Sequence, residues 1–167
     1  MMDIGLTLYR DERETAVTLI RRFWKAHNDY DQTAEEAMED LKAWTGTGHR
    51  LYLIRYGDVA VGLVHLGSRG GEIDWLEDIF VLPEYQGQGI GSRVIQLVEA
   101  EVKQYSDSMY IEAAARNERA IRLYRRLGYD CLNTITVRKD FGKQEFEILR
   151  REEILGQTFE IKRIQND

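Results

Sequence analysis

Cysteine is nearly absent from this chain. Cys131 is the only cysteine among its 167 residues, so no disulfide can form within the chain. We therefore expect the protein to work in a reducing compartment, the cytoplasm. The N-terminal residues lack a basic region followed by an apolar run, and we accordingly expect no secretory signal peptide.

Long apolar runs and a surplus of basic residues are also lacking. Apolar residues make up 43% of the chain and the formal net charge is −6. This composition is that of an ordinary globular protein, and it indicates neither disorder nor a membrane span. A negative net charge argues against a nucleic-acid-binding surface. We therefore expect no membrane and no nucleic acid among the partners.

Histidine is scarce, and the three histidines do not have the spacing of metal ligands. His27, His49 and His65 are far apart in the sequence, so we expect no metal site. The chain length fits one domain, residues 1–167, with a sizeable core.

A glycine-rich segment, Val81 to Arg93, is the most informative part of the sequence. It follows a strand-like run and precedes a long amphipathic segment. Gly87, Gly89 and Gly91 alternate, so backbone N–H groups can approach an anion closely, and the following helix N-terminus adds partial positive charge. We expect a pyrophosphate there, although a glycine turn that merely joins strand to helix is the alternative. The segment contains no G-x-x-x-x-G-K-[ST], and Ser92 breaks the dinucleotide pattern G-x-G-x-x-G.

The remaining pattern, Gln86-x-x-Gly89-x-Gly91, resembles the signature [Arg/Gln]-x-x-Gly-x-[Gly/Ala] of the GNAT superfamily of acyl-CoA-dependent N-acetyltransferases. A second segment, residues 117–129, is similar to that family's second motif. Asn117 is a good helix N-cap, and Tyr124 falls on the apolar face of the predicted helix. The two motifs together, in this order, carry the resemblance.

The resemblance implies an α/β (α+β) GNAT fold. Such a fold has a central mixed, mostly antiparallel sheet of about seven strands, flanked by four or more helices and splayed around an acyl-CoA cleft. Hydrophobic periodicity gives a compatible order of elements. Capping-box patterns at Asp11 with Glu14 and at Thr33 with Glu36 mark two of the helix starts. We predict strands at 4–10, 51–56, 59–66, 72–82, 108–114 and 129–137, and helices from Asp11, from Thr33, at 89–105 and at 117–127. An additional C-terminal helix at 144–155 and strand at 158–164 would occupy about 141–167.

The resemblance also implies acetyl-CoA as the cofactor, with the pyrophosphate on the glycine segment and the pantetheine beside the preceding strand. The cofactor-binding residues would be Ile79, Phe80, Val81, Gln86, Gly87, Gln88, Gly89, Ile90, Gly91, Ser92, Asn117 and Tyr124. Tyr124 would be the general acid that protonates the departing thiolate; a core tyrosine is the alternative.

N-acylation also needs a group to take the proton of the amine. Glu77 and Asp78 lie just before the glycine segment, and adjacent strand residues point to opposite faces, so we expect only one of them to face the substrate. The similarity of residues 75–81 to small-amine acetyltransferases favours Glu77 as the base. A solvated or ion-paired carboxylate is the alternative.

The acceptor is expected to be cationic. Residues 26–41 contain six acids and no lysine or arginine, and the resemblance places this region beside the acceptor site. Asp29 and Asp31, with Glu77 and Asp78, are the substrate residues that we expect. The resulting hypothesis is direct acetylation, in a ternary complex, of a primary amine on a small cationic metabolite or drug. The alternatives are a protein acetyltransferase acting on a lysine or an N-terminus, and a non-catalytic acyl-CoA-binding module. The C-terminal extension would either supply a homodimer surface, as often in this family, or cover the acceptor site.

Overall fold

The computed structural model describes residues 3–165, which divide between Glu112 and Ala113 into two compact units. The elements of the first unit, in order, are β1 (Ile4–Leu8), α1 (Arg13–Asn28), α2 (Ala34–Trp44), β2 (His49–Tyr56), β3 (Val59–Gly67), β4 (Trp75–Val81), a 3₁₀ turn (Pro83–Tyr85), α3 (Ile90–Val102) and β5 (Tyr110–Ile111). Its strands form one mixed sheet in the order β1-β2-β3-β4-β5. Neighbours are antiparallel from β1 to β4, whereas β5 is parallel to β4.

Both faces of this sheet are covered. One apolar cluster joins α1 and α2 to the sheet through residues such as Phe23, Leu63 and Phe80. The other joins α3 to the opposite face through residues such as Val64 and Val94. Because apolar side chains of the central strands are buried on both faces, these strands form a rigid support for whatever follows β4.

Capping chemistry fixes the start of α2 but not that of α1. The Thr33 side chain accepts the Glu36 N–H while the Glu36 carboxylate accepts the Thr33 N–H, which is the predicted capping box. The corresponding prediction for Asp11 is wrong. The first helix begins at Arg13 after Glu12, and no side chain of the N-cap residue bonds its first turn. The Glu12 carboxylate instead accepts N–H groups that precede the helix and binds Arg55 on β2.

The second unit contains α4 (Glu118–Arg126), β6 (Phe146–Ile154) and β7 (Gln157–Ile164). The strands β6 and β7 form an antiparallel two-stranded sheet. The predicted helix at 144–155 is therefore wrong, since this segment is β6. Its many Glu, Arg and Leu residues favour a helix, but Leu155 and Gly156 both have positive φ and make a two-residue turn that pairs the segment with β7. The predicted strand at 129–137 is wrong too, because no strand or helix covers 129–145.

The predicted α/β architecture is confirmed, with four α-helices and a mixed, mostly antiparallel main sheet in the described chain. The strand count differs, because the main sheet has five strands and the other two form the separate sheet. Over residues 3–165, no helix is both long and apolar enough to cross a bilayer.

Candidate functional site

Strand β4 is irregular at the two acids that sequence analysis selected. On β3, His65 lies opposite Asp78, whereas Leu66 lies opposite Leu76, so Glu77 is an extra residue in β4. Such a β-bulge interrupts the alternation of side chains. Gly67 on β3 lies opposite Trp75. Directly opposite residues share a face of the sheet. One face therefore carries both opposite pairs, His65 with Asp78 and Gly67 with Trp75. Glu77 is on the same face because it lies two residues after Trp75.

The expectation that these two adjacent acids point to opposite faces of the sheet is therefore wrong. Both carboxylates lie on the face that α1 and α2 cover. His65 stacks on the ring of Trp44 of α2, with 4.8 Å between ring centroids. The bulge is the physical reason, since a regular strand would send Glu77 and Asp78 to opposite sides.

The edge of β4 away from β3 is open beyond the bulge. Within the described chain, β5 pairs only with Trp75 and Leu76. The Leu82 N–H donates to the Val61 carbonyl across the β3–β4 ladder, 2.8 Å. Because hydrogen-bonding direction alternates along a strand, the backbone groups of Ile79 and Val81 point away from β3, to the open edge. An extended ligand can therefore bind there as a strand would.

The glycine segment turns the chain from β4 into α3. The Gln86 side-chain amide donates to the Val81 carbonyl, 2.8 Å, which ties the turn to the end of the strand. Gly87 and Gly89 have φ of 76° and 81°, a conformation that favours glycine. The Arg93 N–H makes the first bond of α3, to the Gly89 carbonyl. The N–H groups of residues 90–92 thus precede the helical ladder and are oriented to bind an anion.

Space around this turn is adequate for a phosphate group. A Cβ built on each of the three alternating glycines would meet nothing within 4 Å. The predicted cofactor residues 79–81 and 86–92 are consecutive parts of one strand, turn and helix start. Phe80 and Ile90 are buried in the two apolar clusters, so their side chains are not available to a ligand. The Phe80 backbone groups point to β3 by the same alternation, whereas the Ile90 N–H lies at the start of α3.

Glu77 is held by a cation. Arg69, in the turn between β3 and β4, contacts the Glu77 carboxylate at 3.2 Å and the Glu112 carboxylate at 2.6 Å. The Arg69 guanidinium also lies 3.6 Å from the centroid of the Trp75 ring. The hydrogen bonds that Arg69 donates, first to Glu77 and then to Glu112, raise the pKa of Arg69. Arg69 thus fixes the position of Glu77 and compensates its charge.

Asp78 is held by a chain of two histidines. The Asp78 carboxylate lies 2.8 Å from His65 Nδ1, and His65 Nε2 lies 2.8 Å from His49 Nδ1. The side chain of His65 is 5% exposed and that of Asp78 is 25% exposed. A carboxylate only accepts hydrogen bonds, so His65 donates from Nδ1 to Asp78. No sequence motif indicates this His49–His65–Asp78 hydrogen-bonded series, because strand pairing brings together residues that are far apart in sequence.

The acidic segment, residues 26–41, is less negative than its sequence suggests. Lys25 binds both Asp29 and Asp31 at 2.8 Å. The hydrogen bond from Lys25 holds the pKa of Asp29 below its usual range. Asp40 accepts hydrogen bonds from the Trp24 and Gln32 side chains, at 2.7 and 2.6 Å, and so has a structural role. Two of the six acids thus share one lysine, and a third anchors the helix pair.

Two predicted residues belong to the second unit. The Asn117 side chain accepts the Ala120 N–H, which confirms the predicted N-cap of α4. The ring of Tyr124 contacts that of Tyr129 edge-on, with 6.2 Å between centroids. Burial raises the pKa of the Tyr124 hydroxyl above its ordinary value. This hydroxyl is therefore protonated at neutral pH and can donate a hydrogen bond or a proton. Over residues 3–165, no group of His, Cys, Asp and Glu side chains is arranged to hold a metal ion.

Comparison with known proteins identifies the family. The sequence profile described as "Acetyltransferase (GNAT) family" matches residues 13–129. The chain therefore belongs to the GNAT acetyltransferase family, and the prediction of an N-acetyltransferase is confirmed.

Two curated relatives are named for the amines that they acetylate. Aminoglycoside N(6')-acetyltransferase type 1 of Acinetobacter baumannii is 27% identical over 117 residues, which is 64% of this chain and 76% of the relative. Thialysine N-epsilon-acetyltransferase of Bos taurus is 44% identical over 55 residues, which is 32% of each chain. The second match thus spans only about a third of either protein.

Solved structures share the fold. A possible acetyltransferase from Clostridium difficile 630 has a TM-score of 0.68 at 15% identity, covering 83% of this chain and 99% of that chain. The aminoglycoside acetyltransferase AAC(6')-Iy, in complex with the bisubstrate analog CoA-S-monomethyl-acetylneamine, has a TM-score of 0.64 at 18% identity, covering 83% and 99%. At these identities the likeness establishes the GNAT fold.

Proposed function

We propose that this chain transfers the acetyl group of acetyl-CoA to a primary amine of a small cationic molecule, by direct attack in a ternary complex. One observation carries the proposal. The outer edge of β4 is open beyond Leu76 and leads directly into a glycine turn at the N-terminus of α3. An extended chain that ends in phosphates matches this combination of an unpaired strand edge and an anion-binding helix start.

The described residues fit CoA. Its pantetheine would lie along the backbone of Ile79 and Val81, and its pyrophosphate would accept N–H groups of residues 87–92. When bound, acetyl-CoA supplies the acetyl group as a reactive thioester. The CoA complex of a structural relative supports this choice for the family. Asn117 would act through α4, whose first turn it caps.

Glu77 and Tyr124 are the proposed base and acid. An ammonium acceptor must lose a proton before its nitrogen can attack, since an amine of lysine type has an ordinary pKa of about 10.4. Glu77 lies at the bulge beside the open edge, where its carboxylate can take a proton from the nitrogen. The raised pKa of Tyr124 keeps its hydroxyl protonated, which suits a donor to the departing thiolate.

The cationic acceptor is supported by charge and by the relatives. Glu77 and Asp78 both lie on the α1/α2 face, and Asp29 and Asp31 lie between these helices, where they would attract a cation despite Lys25. The curated relatives act on an aminoglycoside and on thialysine. We further propose that residues 1–167 are one acetyltransferase domain, because the family match crosses the boundary between the two units. We also propose that it works in the cytoplasm, because its single cysteine can form no disulfide within the chain.

Thiol release tests the proposal. The protein is mixed with acetyl-CoA and a panel of amines: an aminoglycoside, a polyamine, thialysine, a neutral amino sugar and a lysine-containing peptide. We expect fast release with the small cationic amines. A preference for the peptide would indicate a protein acetyltransferase, and CoA binding without release would indicate a non-catalytic module. Glu77→Gln should lower kcat about 10²-fold, whereas Glu112→Gln, which removes the other carboxylate on Arg69, should not.

A further inference from the structure

We propose that His49 is a second proton acceptor of the acetyl-transfer site, and that His65 and Asp78 position it and compensate its charge. The inference rests on the proposed function and goes beyond it, because it assigns a role to a hydrogen-bonded chain that neither motif contains. It starts from the geometry of three strands: His49 on β2, His65 on β3 and Asp78 on β4.

The order of donors in this chain leaves a basic nitrogen at its outer end. Asp78 can only accept, so His65 donates from Nδ1. A neutral His65 then has a lone pair on Nε2, which must accept the Nδ1–H of His49. A neutral His49 consequently carries its own lone pair on Nε2. A carboxylate that fixes the tautomer of an imidazole, and stabilises its charge after protonation, is the logic of the catalytic triad of serine proteases.

His49 lies on the same face of the sheet as the proposed base. It is directly opposite Gly67 on β3, and Gly67 is opposite Trp75 on β4. Gly67 has no side chain, and the Glu77 carboxylate occupies that place, since a Cβ on Gly67 would lie 2.9 Å from Glu77 Oε1. His49 and Glu77 thus flank one glycine. His49 is half-buried, so it can also pass a proton to water.

Two proton acceptors match the chemistry of an ammonium substrate. Its nitrogen loses two protons during acetylation, while one N–C bond forms and the thioester C–S bond breaks. One proton ends on the thiol of CoA and the other is released to water. In our proposal Glu77 takes one of these protons. His49 Nε2 takes the other and releases it to solvent.

Two carboxylates lie near the histidine pair. Asp78 contacts His65 directly, and Glu77, which Arg69 compensates, lies on the same face. The helix α2 contributes the uncharged ring of Trp44, and α1 contributes Phe23, which the tilted His27 ring contacts with 4.7 Å between ring centroids. Only an unprotonated imidazole nitrogen can accept a proton, so the rate should rise with pH until it reaches a plateau.

The first test compares variants by pH profile and by rescue. His49→Asn should lower kcat about 10²-fold and remove this rise of the rate with pH, while CoA affinity measured by calorimetry stays unchanged. Added imidazole should restore turnover to His49→Ala, which a merely structural role would not allow. His27→Asn is the matched control, because His27 is not part of the His49–His65–Asp78 series. This variant should keep the wild-type pH profile.

The second test needs no turnover. Nitrogen NMR of the imidazoles should find both His49 and His65 protonated on Nδ1 and unprotonated on Nε2 above the titration range, and Asp78→Asn should abolish that preference. A wild-type kcat and pH profile in His49→Asn, or the opposite tautomers in the native protein, would overturn this inference alone. A wild-type protein that releases no thiol with any amine would instead overturn the proposed function, and the role of His49 with it.

Discussion

The anion site at the start of α3 can be tested with two methyl groups placed two residues apart. Gly89 has φ of 81°, whereas Gly91 lies inside the first turn of the helix and has no positive φ. A Cβ at either position meets nothing within 4 Å. Gly89→Ala and Gly91→Ala therefore add the same atom to open space but differ in backbone strain and in their effect on the turn.

The expected stabilities have opposite signs. A left-handed conformation costs an alanine roughly 1–2 kcal/mol, so Gly89→Ala should lower the melting temperature by roughly 2–8 °C for a chain of this size. In the helix, alanine is more favourable than glycine by about 0.5–1 kcal/mol. Gly91→Ala should therefore raise the melting temperature by roughly 1–4 °C. Thermal unfolding followed by circular dichroism measures both shifts.

The expected affinities separate the two variants more sharply. An alanine at position 89 keeps its N–H, but relief of the left-handed strain would turn this N–H away from the phosphate. A hydrogen bond to a charged group contributes about 1.5–3 kcal/mol, so its loss should weaken CoA binding roughly 10- to 100-fold. Gly91→Ala should bind CoA as the wild type does, because the family signature accepts alanine at that position. Titration calorimetry on the folded proteins gives both values. Wild-type affinity in Gly89→Ala, or equal losses in the two variants, would refute the placement of the pyrophosphate on this turn.

Three further predictions concern other parts of the chain. Tyr124→Phe should keep CoA affinity, since the ring remains, but lower kcat about 10²-fold in a stopped thiol-release assay; unchanged kcat would exclude Tyr124 as the acid. The double variant Asp29→Asn with Asp31→Asn leaves Lys25 uncompensated. It should raise KM for a polyamine at low salt and leave KM for acetyl-CoA unchanged. The same polyamine KM in the variant and the wild type would mean that these acids form only a solvated surface. Leu155→Asn should raise stability by up to about 1 kcal/mol, because Leu155 is 85% exposed with φ of 53° and asparagine is favoured there; a lower denaturation midpoint would contradict this account of the turn.

Most of the first unit could be predicted from local signals. The capping box at Thr33, the hairpin at Gly57 and the strand–turn–helix around Gly89 each depend on residues close in sequence. Such signals act over one or two turns of chain, where periodicity and capping are informative. The start of α1 was misplaced because no side chain caps this helix, and the Glu12 carboxylate instead binds Arg55 on β2, a contact that a local pattern does not contain.

The second unit shows where local preference fails. Residues 146–154 have a composition that favours a helix, but their pairing with β7 fixes them as a strand. The signal that could have corrected the prediction is Leu155-Gly156, a short turn followed directly by an alternating run. The site has the same limitation. The motifs locate Glu77 and Gly89, but the partners Arg69 and His65 become neighbours only when the sheet forms.

The extra residue in β4, Glu77, makes the sheet less regular and places a second carboxylate on the α1/α2 face. If Glu77 were deleted, Asp78 would follow Leu76 directly, and the β3–β4 ladder would run from Gly62 to Gly67 without interruption. Leu76 and Ile79 would stay on the face that α3 covers, so the core would be unharmed and the sheet more regular. We expect the shortened protein to fold with a single carboxylate, that of Asp78, on this part of the α1/α2 face. If Glu77 is the base, as proposed, the deletion would spare the fold and abolish acetyl transfer.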